Sequence, residues 1–234
     1  MKTQASSSSL PLSGNAIKLI ALFSMTIDHI GMIFFPQYKI FRHIGRLAFP
    51  LFAYMIGEGF FYTRNKTKYF LSLFSVGVIC QIAYASSMKT WHQNILITFS
   101  LSVFTLLTID YFLRKKSKLS FILLIGCAVL LWLILGVFPH FIKGFGTDYG
   151  AVGVFLPVLV YLLPKKSLKI ICTSLLLTLL ALTTKQSQWL ALLSVPLLCL
   201  YNGKRGKLGM KCLFYVYYPS HLAFLYLLEL WLEK

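Results

Sequence analysis

The chain has 234 residues, of which 58% are hydrophobic and only 12% are charged, and its mean hydropathy is +0.75. A soluble domain of this length needs more polar surface to cover its core. The formal net charge of +17 does not indicate nucleic-acid binding, because the basic residues form short clusters between apolar runs, where positive charge sets the orientation of a membrane protein.

Apolar runs of about 17–25 residues, each long enough to cross a bilayer, follow one another along the chain. Backbone polar groups must be paired internally in lipid, so the runs predict an all-α integral membrane bundle. A polar tail at residues 1–14, without a cleavable signal peptide, precedes a single transmembrane domain at 15–234. About nine spans are predicted, at 15–35, 41–62, 68–87, 93–113, 118–138, 148–163, 168–184, 188–202 and 210–232.

The loops between these spans predict the orientation of the chain. Clusters of Lys and Arg occupy the second, fourth, sixth and eighth loops, and the intervening loops are poorer in them. Because basic loops stay on the cytoplasmic side, the N-terminus is predicted to be cytoplasmic. The five cysteines lie mostly within apolar runs without metal-ligand spacing, so we interpret them as small core residues.

The first span carries the most specific polar pattern, in which Lys18 is followed eleven residues later by His29, with Asp28 beside it. Eleven residues make about three helical turns, so Lys18 and His29 share one face about 16 Å apart. A cation at the cytoplasmic end and an imidazole deeper on the same face suit an elongated anionic donor. The imidazole titrates near neutral pH and can take a proton from an attacking amine or hydroxyl.

Acidic residues are few, and Asp28, Glu58 and Asp110 all fall within predicted spans. An intramembrane charge costs about 2.5–3.5 kcal/mol on insertion scales, so it normally faces a cavity or an oppositely charged residue. A structural ion pair between helices is one interpretation of Glu58 and the favoured one of Asp110. A functional role is the alternative for Glu58.

The second span begins with Arg42 and Arg46, four residues apart on one face. Pro50 cannot donate to the carbonyl of Arg46, and its ring crowds that carbonyl, so a kink is predicted there. Snorkelling to the interface is an alternative role for Arg42 and His43. Arg46 lies about one turn deeper, where a functional role is favoured.

Later segments add further polar candidates. Asp148, at the start of the sixth span, has a capping role or a functional one. His221 lies near the middle of the last span, close to Tyr218, and needs a polar partner. Asn94 and Thr98, four residues apart in the fourth span, are candidates for that partner. On the predicted topology His29, Arg46 and Asp148 lie in the outer half of the membrane.

These segments resemble the TraX family, whose namesake is a conjugal-transfer protein implicated in N-terminal acetylation of pilin. The resemblance covers nearly the whole chain. The family in turn is similar to membrane acyltransferases that modify surface glycans, in which a basic residue and a histidine have the spacing of Lys18 and His29. The matching segments are Asn15–Lys18, Asp28–Gly31, Gly45–Phe52, Asp148–Gly150 and Tyr217–Leu222.

The resemblance implies an acetyltransferase that uses acetyl-CoA as its donor. It implies that His29 is the catalytic base, tuned by Asp28, and that Lys18, Arg42 and Arg46 engage the donor or the developing charge. His221 would bind the acceptor or hold the first span in place. Glu58, Asn94, Asp148 and Tyr218 are supporting candidates, and no metal is implied.

Several alternatives stay open at this point. The expected acceptor is an amine of a peptide or protein at the cell membrane, and a hydroxyl on a surface glycan or lipid is the second choice. Intramembrane His, Asp and Arg residues also suit a proton-coupled transporter, although no internal repeat typical of transporters is evident. A non-catalytic membrane scaffold would leave the charged residues of the first two spans without an explanation.

Overall fold

We describe the fold from a computed structural model, which covers residues 10–184, 186–207 and 211–232. These residues form eleven α-helices, one π-helical segment, one 3-10 segment and two strands of two residues. The α-helices are α1 Gly14–Phe34, α2 Lys39–Gly45, α3 Ala48–Tyr62, α4 Lys66–Met88, α5 Ile95–Lys115, α6 Lys118–Trp132, α7 Phe138–Phe141, α8 Gly150–Leu162, α9 Lys166–Thr183, α10 Ser194–Cys199 and α11 Lys211–Leu232. The predicted all-α architecture is therefore confirmed.

Five helical stretches within the described residues are long and apolar enough to cross a membrane. They are Gly14–Phe34, Lys66–Ala85, Ile95–Lys115, Lys118–Phe141 and Lys166–Thr183. Many large apolar side chains on these helices are exposed, for example Phe23, Ile122 and Leu175, as expected where lipid replaces water as the solvent. The chain is a helical membrane protein, whereas the count of nine spans and the cytoplasmic N-terminus stay predictions.

Three predicted spans differ from the helices in the structure. The second is divided into α2 and α3 by a turn at Arg46 and Leu47, where Pro50 removes the hydrogen bond to the Arg46 carbonyl. The fifth continues to Phe141 through a π-helical segment, Leu133–Val137. The eighth consists of the 3-10 segment Gln186–Leu193 and the short helix α10.

The chain forms two compact units, which we call the terminal unit (residues 1–55 and 165–234) and the central unit (residues 56–164). In the central unit α5 packs against α4, α6 and α8. Its loops are joined by a short parallel pairing of β1 (His92–Gln93) with β2 (Gly146–Thr147).

In the terminal unit α1 packs against α2 and α11. Two glycines permit the close approach of α2, because a Cβ at Gly31 would overlap the side chain of Phe41, and a Cβ at Gly45 would overlap the carboxylate of Asp28. Ser24 Oγ also donates to the carbonyl of Ile44 at 2.5 Å. A polar residue of α1 thus ties the end of α2 to the first helix.

The backbone amides at the N-terminus of α1 are hydrogen-bonded to other groups of the same chain. Ser13 is the N-cap and accepts from the amide of Ala16, an interaction that contributes about 1 kcal/mol in helices of this kind. The amides of Gly14 and Asn15 donate to the carbonyls of Lys204 and Arg205 at 2.8 and 2.9 Å. The backbone donors that an anion would otherwise contact are therefore already paired.

Candidate active site

The terminal unit contains seven of the ten sequence-predicted site residues: Lys18, Asp28, His29, Arg42, Arg46, Tyr218 and His221. Three of them lie on α1, which is continuous from Gly14 to Phe34. The others lie on α2, on the turn that follows it and on α11. Helix packing in this unit thus groups residues that are far apart in sequence.

A polar and aromatic face of α1 lies along α11. The ammonium of Lys18 lies 5.3 Å from the ring centre of Phe214, and the hydroxyls of Thr26 and Tyr217 are 2.7 Å apart. His29 contacts His221 further along. The contacts advance in the same direction on both helices, so α1 and α11 are parallel. The shared face predicted for Lys18 and His29 is the one that meets α11.

His29 and His221 form a direct hydrogen bond. Nδ1 of His29 lies 2.9 Å from Nε2 of His221, and the ring centroids are 5.1 Å apart. Nδ1 of His221 lies 2.8 Å from the carbonyl oxygen of Tyr217. The polar partner that His221 required is therefore His29 together with the backbone of α11. Asn94 and Thr98, which were among the candidates, lie in the central unit.

Aromatic rings hold His221 in place. The ring of Tyr217 stacks on it at 5.1 Å with an interplanar angle of 12°, and Tyr218 meets it edge-on at 5.7 Å. His221 is only 7% exposed, whereas His29 is half-buried. Tyr217 and Tyr218 also pack against the apolar cluster of Leu22, Met25 and Ala48.

Asp28 forms an ion pair with Arg42 at 2.7 Å. The resemblance implied that Asp28 tunes His29, and the sequence left Arg42 between snorkelling and donor binding. The Asp28 carboxylate lies against α2, where Gly45 leaves room for it. Its second oxygen, Oδ1, is buried without a hydrogen-bond partner among the described residues.

Lys18 and Arg46 make no ion pair with any described residue, although the negative charge of Asp28 acts on Arg46 from a greater distance. Both are half-buried, and Nε of Arg46 is buried without a hydrogen-bond partner in the described part of the chain. The positive charge of Arg205 acts on Lys18 as well. Unpaired cations at membrane depth are costly, so this arrangement favours an anionic ligand.

Three predicted site residues, Glu58, Asn94 and Asp148, lie in the central unit. Glu58 is buried in α3, with 7% of its surface exposed. Asn94 is the N-cap of α5 and accepts from the amides of Leu96 and Ile97. These placements give Asn94 a structural role at the end of its helix.

Asp148 does not cap α8, whose N-cap is Tyr149, a residue in the left-handed region at φ 60°. The Asp148 carboxylate instead lies 3.1 Å from Nε2 of His92, a residue that the sequence did not single out. The hydrogen bond to Asp148 raises the pKa of His92, burial opposes this, and the negative charge of Asp148 adds to the increase.

Asp110 lies in an ion-pair cluster of the central unit. It accepts from Lys66 at 2.6 Å and from the Tyr161 hydroxyl at 2.9 Å, and it pairs with Arg114 at 2.9 Å. The ammonium of Lys66 also lies 4.5 Å from the ring centre of Phe60. These contacts agree with the favoured interpretation of Asp110 as part of a structural ion pair.

Sequence reasoning missed the contributions of Tyr217, Thr26, Arg205 and His92. The roles of Thr26, Arg205 and His92 depend on contacts between helices or loops that are distant in sequence, and no local motif marks these three residues. Of these residues only Tyr217 could have been identified from the sequence as a neighbour of His221, because it lies four residues before His221, one turn away on the same helix face.

Sequence comparisons match this chain to known proteins over most of its length. The family model described as TraX protein matches residues 13–229. A protein of Dichelobacter nodosus named as a probable fimbrial assembly protein FimC, serogroup H1, is 27% identical over 97% of this chain and 100% of its own length. No solved structure matches the chain.

Two further relatives match parts of the chain. An uncharacterized protein of Rickettsia prowazekii (strain Madrid E) is 33% identical over 67% of this chain and 58% of its own length. Protein TraX of Escherichia coli is 33% identical over 39% of this chain and 38% of its own length. The family match includes both helices that carry the histidine pair, α1 and α11, and the chain belongs to the TraX family.

Proposed function

We propose that this chain is an acetyltransferase of the cell membrane, which moves an acetyl group from acetyl-CoA to an amine of a peptide or protein at the membrane. The observation that carries the proposal is the composition of the α1 face in the terminal unit. It combines His29, which can act as a base, with Lys18, which forms no ion pair with any described residue. Arg46, on the turn that follows α2, adds an Nε that has no hydrogen-bond partner in the described part of the chain. Family membership supports the same reaction class.

In the proposed reaction His29 is the general base. The acceptor nitrogen attacks the thioester carbonyl, a C–N bond forms and the C–S bond breaks. His29 takes the proton of the acceptor amine and returns it to the sulfur of the leaving thiolate. Such proton transfer contributes about 10²- to 10⁴-fold to a rate.

The cations suit the charges of the donor. Coenzyme A carries several phosphate charges, and Lys18, with Arg205 near it, offers positive charge at the start of α1. The buried Nε–H of Arg46 is an available donor for the oxyanion that develops on the thioester carbonyl. Fixed donors of this kind are most effective where water is excluded.

The choice of a protein as the proposed acceptor follows from a relative that matches 97% of this chain and 100% of its own length. That relative is named as a probable fimbrial assembly protein, and fimbriae are assembled from protein subunits. An amine at the N-terminus of a subunit would be the nucleophile. A hydroxyl on a surface glycan or lipid is the alternative acceptor, and it differs in giving an ester in place of an amide.

The test uses the full chain in lipid nanodiscs with radiolabelled acetyl-CoA and membrane vesicles of the source cells as a mixture of acceptors. The proposal expects label in protein that survives hydroxylamine, because amides resist this reagent and esters do not. His29→Gln should lower labelling by about 10²-fold or more. His140→Gln is the matched control, since His140 is exposed.

Two results would contradict this proposal. Equal labelling by the wild type and His29→Gln would remove His29 as the base. Label confined to glycan or lipid, and released by hydroxylamine, would select the O-acetyltransferase alternative.

A proton-coupled transporter is a second candidate, and the hydrogen bond between His29 and His221 favours it. Two histidines in contact within a membrane helix pair can relay protons. In liposomes a transporter would carry protons when a solute gradient is applied, and His29→Gln would abolish the flux. An acetyltransferase would give no such flux.

A further inference from the structure

The hydrogen bonds of His221 determine which of its nitrogens carries a hydrogen. Nδ1 of His221 lies 2.8 Å from the carbonyl oxygen of Tyr217. A carbonyl oxygen only accepts, so Nδ1 must be the donor. A neutral imidazole has one N–H, and Nε2 of His221 is therefore an acceptor.

This assignment fixes the tautomer of His29 in turn. Nε2 of His221, as an acceptor, lies 2.9 Å from Nδ1 of His29, so the hydrogen of that bond belongs to His29 Nδ1. The lone pair of a neutral His29 is then on Nε2. A protonated His221 would reverse the bond, place a hydrogen on His29 Nε2 and remove the base.

The surroundings of His221 keep its ring in this orientation. Tyr217 stacks on the ring and Tyr218 meets it edge-on. The hydroxyl of Thr26 donates to the carbonyl of Leu22 at 2.9 Å, so the Tyr217 hydroxyl donates to Thr26 at 2.7 Å. Tyr217 therefore supplies the carbonyl that fixes His221 and also ties α11 to α1.

We infer that His221 is a positioning residue that holds His29 in its Nδ1–H tautomer, so that Nε2 of His29 is the basic nitrogen that accepts the proton of the acceptor amine. This inference rests on the proposed function for its use in acetyl transfer. The tautomer itself is a property of the resting protein. In catalysis generally, the hydrogen bond made by one ring nitrogen selects the tautomer and the free nitrogen.

His221 has a further role once Nε2 of His29 has taken the proton. The imidazolium then carries N–H groups on both nitrogens, and its Nδ1–H points at Nε2 of His221. His221 stabilises this positive charge by accepting the hydrogen bond from Nδ1 of His29. His29 becomes neutral again when the proton on its Nε2 passes to the thiolate.

The first test reads the tautomers without any enzymatic assay. The full chain, labelled with ¹⁵N-histidine and reconstituted in lipid bilayers, gives separate imidazole signals for its five histidines. His29→Gln and His221→Gln assign two of them. The inference expects both His29 and His221 as Nδ1–H tautomers at neutral pH. A hydrogen on Nε2 of His29 in the wild type would overturn it, whether or not acetyl transfer is observed.

The second test separates positioning from packing. Glutamine at position 221 keeps an amide oxygen close to the place of Nε2, and leucine fills similar space without an acceptor. We expect His221→Gln to keep the His29 tautomer and much of the turnover. His221→Leu should lose the tautomer and lower kcat by about 10²-fold with donor KM unchanged. Equal loss in both variants, with the His29 tautomer unchanged, would show that His221 acts through packing alone.

Tyr217→Phe is the matched control for these variants, because it keeps the backbone carbonyl and the stacked ring and removes only the hydroxyl bond to Thr26. The His29 tautomer should be unchanged in this variant. Absence of acetyl transfer from the wild type, with both tautomers as expected, would refute the proposed function and leave the assignment of His29 and His221 intact.

Discussion

The two units differ in how their intramembrane charges are paired. In the central unit the ammonium of Lys66 is matched by Asp110, which also binds Tyr161 and Arg114. In the terminal unit Asp28 pairs with Arg42, but Lys18 and Arg46 form no ion pair with any residue that the structure describes. Paired charges stabilise a fold without a ligand, whereas unpaired cations at membrane depth are retained at a cost that an anionic substrate can offset. The contrast separates structural charges from candidate functional ones.

The largest expected effect on stability comes from breaking the Asp110 cluster. Asp110 and Lys66 are 15% and 14% exposed, and removing one member of such a buried pair leaves the other charge unpaired. Asp110→Asn should lower the free energy of unfolding by about 3 kcal/mol, measured by denaturant titration in detergent. Arg114→Ala is the control, because Arg114 is 67% exposed and its loss should cost about 0.5 kcal/mol or less. Equal losses would contradict the assignment.

A smaller loss is expected where α2 meets α1 in the terminal unit. Gly45→Ala would drive its methyl group into the carboxylate of Asp28, at a cost of about 1–3 kcal/mol for overpacking. Gly126→Ala in the central unit is the matched control, because nothing lies within 4 Å of the added methyl and alanine is the better helix former by about 1 kcal/mol. Thermal unfolding of both variants measures the difference. Similar shifts in the same direction would show that the α1–α2 contact is looser than described.

Two lysine substitutions test the contrast in charge pairing directly. Lys66→Met removes one partner of Asp110, which keeps Arg114 and Tyr161, so it should destabilise the chain by about 1–3 kcal/mol, the cost of an unsatisfied buried polar group. Lys18→Met removes a cation that has no ion pair, so the stability should stay the same or increase. Unfolding midpoints of the two variants, without any ligand, give the comparison. A loss in Lys18→Met as large as that in Lys66→Met would place Lys18 among the structural charges.

The smallest effect concerns the pair of His92 and Asp148 in the central unit. Because Asp148 raises the pKa of His92 in the folded protein, the pair contributes stability that is fully present below the ordinary pKa of about 6.5. This contribution is lost as the pH rises through the raised pKa. Both side chains are 39% exposed, so it should be about 0.5 kcal/mol or less.

The measurement is the difference in melting temperature between the wild type and His92→Gln at pH values from 5.5 to 8.5. The difference should be largest at the acidic end and vanish at the alkaline end. A difference that grows with pH would contradict the pairing of His92 with Asp148.

Much of the fold was predictable because apolar run length and helix caps are local signals. Ser13, a residue type typical of N-caps, directly precedes the first apolar run and caps α1, and Pro50 explains the break at Arg46. The π-helical segment at Leu133–Val137 was not predictable, because that run is apolar throughout and its composition does not distinguish helix types.

The residues of the candidate site could be predicted from the sequence more readily than the contacts between them. Helical spacing placed Lys18 and His29 on one face, and α11 lies along it. Spacing cannot show which distant side chain completes a hydrogen bond, so His221 was assigned no certain partner and the pairing of Asp28 with Arg42 was not predicted. Those pairings are set by how α2 and α11 pack against α1, which depends on glycines and aromatic residues distant in sequence.

The central claim is that the unpaired cations of the terminal unit hold an acetyl-CoA donor. Calorimetric titration of acetyl-CoA into the full chain in nanodiscs tests it most directly, with Lys18→Ala and Arg46→Ala beside the wild type and the exposed Lys118→Ala as control. Saturable binding that weakens about tenfold or more in the first two variants, and is unchanged in the control, is the predicted result. No binding by folded wild-type protein, or equal binding by all four proteins, would contradict the claim.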